Sequence, residues 1–439
     1  MRDQLLRLAI VLFVIQRSIW LQTNLVTGTS KSNESHLISK TEFAPVVFFH
    51  NNTSGSSQVH RVDKGLPVLP SGGWLQEYIK WHNQQRSIFL GDDLIYNSTA
   101  PNILIHVHCN GISGGLNDRW KHFHKTVYHC HLEKILLLIS WPGPWRLENF
   151  LSPNLLNWTV PNHLSERFRE GGWCDIITEN IKRRSLSDKI HLSAIDENRV
   201  SLDSSDTSFS VIWHSFFLPS ELLRCRLEQS TKSLRLQPGH YHAIHCRVRH
   251  PAHFGLVRLV PEDYGGTNYT GKQREVAIKT ALRAIQCANL VVSTTKPASG
   301  IELREATKRM KESAPYYFFS DSEDLVHSVI GTQAPKDSLE MELQNLSLTS
   351  NVVGLRSRDS IRHIDDSGRG PLASYLRSFI DLYLAASARC IVRGVGGFAH
   401  LAAMISGTDC ESTYFLLPNN VIRKWGMWDA YRTATRCPL

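Results

Sequence analysis

The segment YHAIHCRVRHP, residues 241–251, places histidine and arginine at the spacing of one strand face. Alternate side chains of a strand face the same way, so His245 and Arg247 share a face with Ala243, and Arg249 continues the row. Arginine binds a diphosphate with paired hydrogen bonds and neutralises a departing phosphate without Mg²⁺. The row therefore predicts an anion-binding site. The alternative is a strand end whose arginine side chains are only exposed to solvent.

Two glycine-rich turns each follow an apolar run, at SGGLNDRW, residues 113–120, and at RGVGGFAHLA, residues 393–402. Glycine lets a backbone approach a ligand closely, and the N–H groups at a helix start attract anions. Both turns are equally explained by strand-to-helix packing, the first of them with Asn117 as a helix cap and Asp118 as an acid in the first helical turn. The first turn is not a GxGxxG fingerprint, and the sequence contains no P-loop.

Ser320, Asp321 and Ser322 follow the apolar run YYFF directly. A carboxylate at the end of a strand can accept hydrogen bonds from a nucleotide base or ribose. The alternative is that the segment caps a helix.

Metal chemistry is disfavoured by the motifs. The sequence has no HExxH and no CxxC pair, and the letters of a GxSxG motif occur only in GISGG, residues 111–115. Its two histidine-rich clusters lack the carboxylate or cysteine pair that would complete a metal site; they comprise His122, His124, His129 and His131, and His240, His242 and His245. We expect no bound metal and no cofactor.

The elements that must position these residues alternate between strand and helix. Strands are expected at 103–108, 134–141, 241–248, 316–319, 351–355, 389–393 and 413–417, and helices at 117–131, 273–288, 322–330, 372–388 and from Phe398. Such alternation predicts an α/β protein with parallel sheets. We expect two Rossmann-like domains joined near 237–239, with a ligand in the cleft at the carboxyl ends of the strands.

The bulk composition fits a globular chain of more than one domain. The 439 residues are 42% apolar and 20% charged, which is enough to bury a sizeable core. The net charge of +9 is spread diffusely, without a long basic run or a zinc-finger or RNA-binding signature. A nucleic-acid partner is therefore disfavoured, whereas an anionic small substrate fits.

The N-terminus predicts a secretory route. Arg2 and Arg7 flank an apolar stretch from Leu8 to Ile15, which fits a signal-anchor or a cleaved signal peptide. Asn-x-Ser/Thr sequons occur at Asn33, Asn51, Asn52, Asn97, Asn157, Asn268 and Asn345. The nine cysteines are an odd number, so we expect a few disulfides and at least one unpaired thiol in an oxidising lumen.

These features together predict four segments. They are a signal segment at 1–28, a flexible glycosylated stem at 29–72 and two Rossmann-like domains at 73–236 and 237–439. The expected location is the Golgi or ER lumen, as a single-pass type II membrane protein attached through its N-terminal segment; the alternative is secretion after cleavage.

The order of five motifs resembles the fucosyltransferase superfamily of protein O-fucosyltransferases, rhizobial chitooligosaccharide α1,6-fucosyltransferase and plant xyloglucan fucosyltransferase. These motifs, spread over about 100–418, are GGLNDRW, KILLLISWPGPWRLENFLSP with NWTVP, IHCRVRHP, FFSDS and DLYLAASARCIVRGVGGFAHLA. The resemblance implies a GT-B fold, with the acceptor-side domain at 73–236 and the nucleotide-sugar-binding domain at 237–439. It also implies GDP-fucose as donor, inversion at the anomeric carbon, no required metal, and a glycan or glycoprotein acceptor.

The resemblance also implies roles for single residues. His245 and Arg247 match an HxR motif in which the arginine contacts the β-phosphate of the donor and is the catalytic candidate. Further donor contacts are implied for Asp321, Ser322, Gly394, Gly396, Gly397 and Phe398, and contacts on the acceptor side of the cleft for Gly114, Gly115, Asp118 and Arg119.

The chain departs from this superfamily at three places. Relatives often carry glycine where Asn117 stands, an acid near His250 and Pro251, and hydroxyl residues in the last turn, where this chain has GVGGFA. Two alternatives stay open: a catalytically inactive GT-B-fold binding protein, and a transferase that uses another nucleotide sugar.

Overall fold

The structure is a computed structural model that describes residues 73–89, 97–108, 115–141, 143, 145–162, 164, 183–185, 190–193, 208–247, 272–294, 314–356, 370–394, 396–414 and 435–437. All of them belong to one compact unit, Val46–Leu439. The N-terminal apolar stretch and the stem lie outside the described residues. Within the described part of the chain, no helix combines the length and the apolar character needed to cross a membrane.

The first sheet is built around a parallel pair. Strand β1 (Ile103–Val107) pairs in parallel with β2 (Leu136–Ser140) and β5 (Ile190–Ser193), and β4 (Arg183–Ser185) joins β5 antiparallel. Every residue of β1 and β2 is buried, as expected for a parallel sheet covered on both faces. A separate antiparallel pair consists of β3 (Leu151–Pro153) and β6 (Phe217–Pro219).

The second sheet is parallel at every pairing between its described strands. Its order is β12-β11-β10-β7-β8-β9. These strands are β7 (His242–Cys246), β8 (Tyr316–Ser320), β9 (Val352–Val353), β10 (Cys390–Arg393), β11 (Glu411–Thr413) and β12 (Thr435–Arg436). Since neighbouring strands run in the same direction, the carboxyl ends of β7, β8 and β10 meet at one edge.

The described helices fill the connections between strands. They are α1 (Trp74–Ile88), α2 (Leu116–Trp120), α3 (Phe123–Leu132), α4 (Phe209–Phe216), α5 (Glu221–Leu234), α6 (Lys272–Thr294), α7 (Glu323–Val329), α8 (Ser338–Thr349), α9 (Leu372–Ala386) and α10 (Phe398–Ser406). A short 3-10 helix covers Leu147–Asn149. Helix α9 is apolar over most of its surface, and most of its residues are buried.

One large hydrophobic cluster contains residues of both sheets. It includes Leu137 from β2, Ala243 from β7 and Ile391 from β10, together with the apolar residues of α4, α9 and α10. The rings of Phe150 and Phe379 stack within it, with centroids 4.3 Å apart. The two sheets are therefore held together by shared core packing.

A second hydrophobic cluster lies on the other face of the second sheet. Ile244, Cys246 and Val392 belong to it, with the apolar residues of α6 and α7. Alternate residues of β7 thus enter different clusters, which is the alternation that the sequence predicts.

Two disulfides stabilise the second sheet. Cys390 at the start of β10 is bonded to Cys410, which precedes β11, and Cys287 on α6 is bonded to Cys437 beside β12. Among the described residues, Cys130, Cys225 and Cys246 form no disulfide. The expectation of a few disulfides with an unpaired thiol is consistent with these bonds.

The α/β class and the parallel sheets confirm the coarse prediction of the fold. Several expected boundaries were wrong. The helix expected over 117–131 is divided by Lys121 and His122 into α2 and α3, the helix expected over 273–288 extends over Lys272–Thr294, and the last expected strand begins at Glu411 rather than Thr413. The proposed segment boundaries at 72 and 236 stay predictions.

Candidate functional site

Strand β7 brings His245 to the interior of the molecule. The side chain is only 4% exposed and packs against two aromatic rings, those of Phe319 at 4.9 Å and Phe398 at 5.8 Å between centroids. Its backbone carbonyl accepts a hydrogen bond from the Tyr414 hydroxyl at 3.0 Å. The ring contacts and this hydrogen bond hold the end of β7 in place at His245, two residues before Arg247.

Arg247 follows the last residue of β7 and lies against the late glycine turn. A Cβ atom built on Gly396 would be 2.8 Å from Nη1 and 3.0 Å from Cδ of Arg247. Gly396 also has φ +99°, a backbone conformation that side chains with a Cβ rarely adopt. Glycine is therefore required here both for backbone geometry and for the close approach of the guanidinium.

Asp321 completes the arrangement from the carboxyl end of β8. Its Oδ2 lies 3.9 Å from Nε of Arg247, and each of the two side chains is about one-quarter exposed, at 24% and 25% respectively. The pair is longer than a hydrogen bond, so Asp321 orients the arginine without covering it. The guanidinium remains accessible to an anionic ligand.

The Ser322 side chain is buried and caps a helix. It is 0% exposed, and its hydroxyl accepts a hydrogen bond from the backbone N–H of Leu325 at 3.3 Å. This is the N-cap of α7, the alternative that the sequence left open. Sequence reasoning could not exclude a donor contact, because burial of the hydroxyl depends on the packing of the helix against the sheet.

The late glycine turn is packed against side chains at three of its positions. A Cβ on Gly394 would overlap the Tyr414 hydroxyl, with the ring carbon Cζ only 2.6 Å away. A Cβ on Gly397 would overlap the amide of Asn117, whose own Cβ would be 2.7 Å away. Since Asn117 belongs to α2, the early and late turns meet at this contact.

The predicted residues of the early turn divide between surface and interior. Gly114 lies outside the described residues, and Gly115 is the residue before α2. The Asp118 side chain is 52% exposed and pairs with Lys121 at 3.1 Å. Arg119 is 3% exposed, with its guanidinium carbon 4.4 Å from the ring centroid of Trp141.

Arg119 is therefore buried against an aromatic ring, and its contact with the acceptor side of the cleft stays a prediction. Its long side chain folds over the indole of Trp141, and a cation–π contact of this kind is stronger when it is shielded from water. The sequence could not show it, because Trp141 lies on the next strand connection and its position depends on the fold.

His108 lies beside this arginine, directly after the end of β1. It is fully buried, and its ring centroid is 4.4 Å from that of Trp120. Burial, followed by the charges of His106 and Arg119, lowers the pKa of His108 well below its ordinary value. The imidazole is therefore neutral at physiological pH.

A buried charged cluster that sequence reasoning missed connects the two ends of the late turn. Arg393, just before Gly394, is 0% exposed and bonds through Nε to the Glu411 carboxylate. The same carboxylate is 3.2 Å from Nδ1 of His400 in the first turns of α10. Burial raises the pKa of Glu411, but the bond to His400 and the charge of Arg393 outweigh it, so the pKa is lowered overall.

The cluster has a sequence signal that is visible only in retrospect. Arg393 and Glu411 are charged residues inside apolar strand segments, a pattern that requires a partner when buried. Which charges pair could not be read from one sequence, because β10 and β11 are separated by the whole of α10.

The arrangement suits an anion with several oxygens. Arg247 supplies a fixed cation, and the turn 394–397 supplies backbone that only a glycine permits at Gly396. Within the described ranges, no group of three or more histidine, cysteine or acidic side chains is placed to hold a metal ion.

Comparisons with known proteins give structural likenesses of low sequence identity. No family model matches the chain, and no curated protein matches its sequence. The structure is similar to that of a mutant of Arabidopsis thaliana FUT1 in complex with GDP, with a TM-score of 0.44 and 8% identity over 81% of this chain and 82% of that one. It is also similar to NodZ alpha-1,6-fucosyltransferase co-crystallized with GDP, with a TM-score of 0.36 and 13% identity over 69% of this chain and 92% of that one.

Proposed function

We propose that this chain is a glycosyltransferase that moves fucose from GDP-fucose to a hydroxyl group of a lumenal glycan or protein. The observation that carries the proposal is the contact of Arg247 with Gly396, beside the contact of Asn117 with Gly397. A strand-end cation and two glycine turns from distant parts of the sequence thus converge on one place. The motif order of the sequence supports the same function.

The proposed reaction is a single inverting displacement. The acceptor oxygen forms a bond to the anomeric carbon while the bond from that carbon to the β-phosphate oxygen breaks, and the bonding electron pair leaves with GDP. The hydroxyl proton passes to a base or to solvent. Negative charge therefore grows on the diphosphate in the transition state.

Arg247 is the residue placed to stabilise that charge. Its guanidinium has a fixed position between Gly396 and Asp321, so little reorganisation is needed when charge develops. Metal independence follows as part of the proposal, because the arginine supplies a positive charge at the leaving group.

His245 has a positioning role in this proposal. It packs against both Phe319 and Phe398, so it helps to fix the direction of the strand end that carries Arg247. Asp321 holds the arginine from the other side and remains exposed enough to accept a hydrogen bond from the nucleoside.

The lumenal location is also a proposal. It is supported by the apolar N-terminal stretch, the sequons and the two disulfides, which persist in oxidising compartments. The described sequon residues Asn97, Asn157 and Asn345 are all exposed.

Turnover of a nucleotide-sugar panel tests the function. The purified chain is incubated with GDP-fucose, GDP-mannose, UDP-glucose and UDP-N-acetylglucosamine, with and without EDTA, and release of the nucleoside diphosphate is measured. We expect release from GDP-fucose, insensitive to EDTA, and about 10²-fold slower in Arg247→Ala. Arg226→Ala, which removes an exposed arginine of α5, is the control.

Other outcomes separate the alternatives. If only another nucleotide sugar is turned over, the chain is still assigned as a transferase, but its donor is that sugar and not GDP-fucose. Binding of GDP without turnover of any member would support an inactive GT-B-fold binding protein. Equal turnover by wild type and Arg247→Ala would remove Arg247 from the chemistry.

A further inference from the structure

Asn117 places a side-chain amide between the two glycine turns. It is the second residue of α2, and its Cβ and amide lie over the α-carbon of Gly397. The side chain is half-buried, and its Oδ1 is enclosed without a hydrogen-bond partner within the described part of the chain. Neither its helix nor its packing gives this oxygen a hydrogen-bond donor within the described part of the chain.

An unused buried amide is costly unless something else satisfies it. A buried donor or acceptor without a partner typically costs about 1–3 kcal/mol, and such groups in native proteins are few. A 180° rotation of the amide group exchanges its oxygen and its NH2 group. The side chain can therefore offer a ligand either an acceptor or a donor. A sugar hydroxyl, which both donates and accepts, is a matching partner.

The neighbouring contact indicates which part of a ligand would reach this amide. Arg247 lies against Gly396 and Asn117 against Gly397, and consecutive α-carbons are about 3.8 Å apart. A phosphate held by the Arg247 guanidinium would therefore place the group bonded to that phosphate within reach of the amide.

We infer that Asn117 determines specificity by hydrogen-bonding the sugar that is attached to the terminal phosphate of the donor. This inference rests on the proposed function and extends it, since it assigns a residue to the transferred sugar. Gly397 leaves room for this amide, because a Cβ atom at position 397 would occupy the same space as the Asn117 side chain.

The competing explanation is that Asn117 only fills space between α2 and the late turn. A space-filling side chain would affect stability and the binding of any ligand alike. A residue that contacts the sugar affects the nucleotide sugar and spares the free nucleotide. The two explanations therefore differ in the ratio of two affinities.

Calorimetry with GDP and with GDP-fucose, without an acceptor, measures that ratio. We expect Asn117→Ala to lower the affinity for GDP-fucose by about tenfold, the loss of roughly one good hydrogen bond, and to leave the affinity for GDP within about twofold. Lys121→Ala, an exposed change one helical turn away, is the matched control and leaves both affinities unchanged.

Asn117→Asp is a second variant that keeps the shape of the side chain and so the packing. Its carboxylate would lie beside the diphosphate, so we expect weaker binding of both ligands through charge repulsion. Wild-type GDP affinity in Asn117→Asp would show that the residue is remote from the diphosphate and would overturn the inference.

Equal losses for GDP and GDP-fucose in Asn117→Ala, or no loss for either, would also overturn it. Failure of the proposed function has a different signature. In that case wild type itself binds neither GDP nor GDP-fucose, and the assignment of Asn117 is refuted together with the function.

Discussion

Nη1 of Arg247 lies 2.8 Å from the position that a Cβ of Gly396 would occupy. The two residues belong to strand ends that are 149 positions apart in the sequence, and the parallel pairing of β7 with β10 brings them together. An arginine that rests on backbone has fewer conformations to lose when it binds an anion. The relationship therefore links the fold of the second sheet to the proposed chemistry.

Gly396→Ala is expected to reduce GDP affinity strongly. The new methyl group would collide with the Arg247 guanidinium, and φ +99° adds backbone strain. Calorimetry with GDP and thermal unfolding measure the two effects separately.

Gly331→Ala is the matched control for this change. Its φ is +65°, but a Cβ there meets nothing within 4 Å, so it carries backbone strain without a collision. We expect a loss of stability of about 1–2 kcal/mol and unchanged GDP affinity. Equal GDP affinities in the two glycine variants would contradict the contact with Arg247.

Gly397→Ala is expected to destabilise the protein and to be rescued by a second change. The added Cβ overlaps the Asn117 amide, and replacing Asn117 with glycine removes that overlap. We expect the free energies of unfolding to be non-additive by about 1 kcal/mol or more in a double-mutant cycle. Additive values from urea titrations would show that the two turns do not meet as described.

Glu411→Gln is expected to cost about 3–5 kcal/mol of stability. The change removes the Glu411 carboxylate from the fully buried Arg393, and breaking a buried pair costs more than the pair contributes. Glu228→Gln, in an exposed pair with Arg224, is the control and should cost less than about 1 kcal/mol. Similar losses in urea-induced unfolding would argue against the buried cluster.

Acid is expected to destabilise the protein partly through His82. This residue is 0% exposed and hydrogen-bonds the Leu137 carbonyl at 3.0 Å, and burial lowers its pKa from 6.5 to about 4. Below pH 6.5 the unfolded chain binds a proton that the native imidazole takes up only near pH 4, so stability falls across that window by up to about 3 kcal/mol.

His82→Gln removes this titration. We expect it to be less stable than wild type at pH 7 and to lose less of its stability between pH 6.5 and pH 4. Unfolding free energies from denaturant titrations at several pH values give both slopes. Parallel slopes would assign the acid sensitivity to other groups.

The sequence was most informative where a pattern is local. The alternation of β7 separates Ala243 and His245 from Ile244 and Cys246, and the described structure places the two sets in different clusters or environments. Buried strands such as β2 and β8 were visible as apolar runs for the same reason.

Contacts between distant segments could not be predicted in this way. Two examples are the ion pair of Arg393 with Glu411 and the cation–π contact of Arg119 with Trp141. Both depend on how strands and helices pack. The positions of the glycine turns could be predicted from the sequence. The contact of Asn117 with Gly397 is seen only in the structure.

The affinity of GDP for wild type and for Arg247→Ala, measured by calorimetry under identical conditions, tests the central claim most directly. We expect wild type to bind GDP and Arg247→Ala to bind it at least about 10²-fold more weakly, with an unchanged melting temperature. Equal affinities in the two proteins would contradict the claim that Arg247 and the late glycine turn form a diphosphate site.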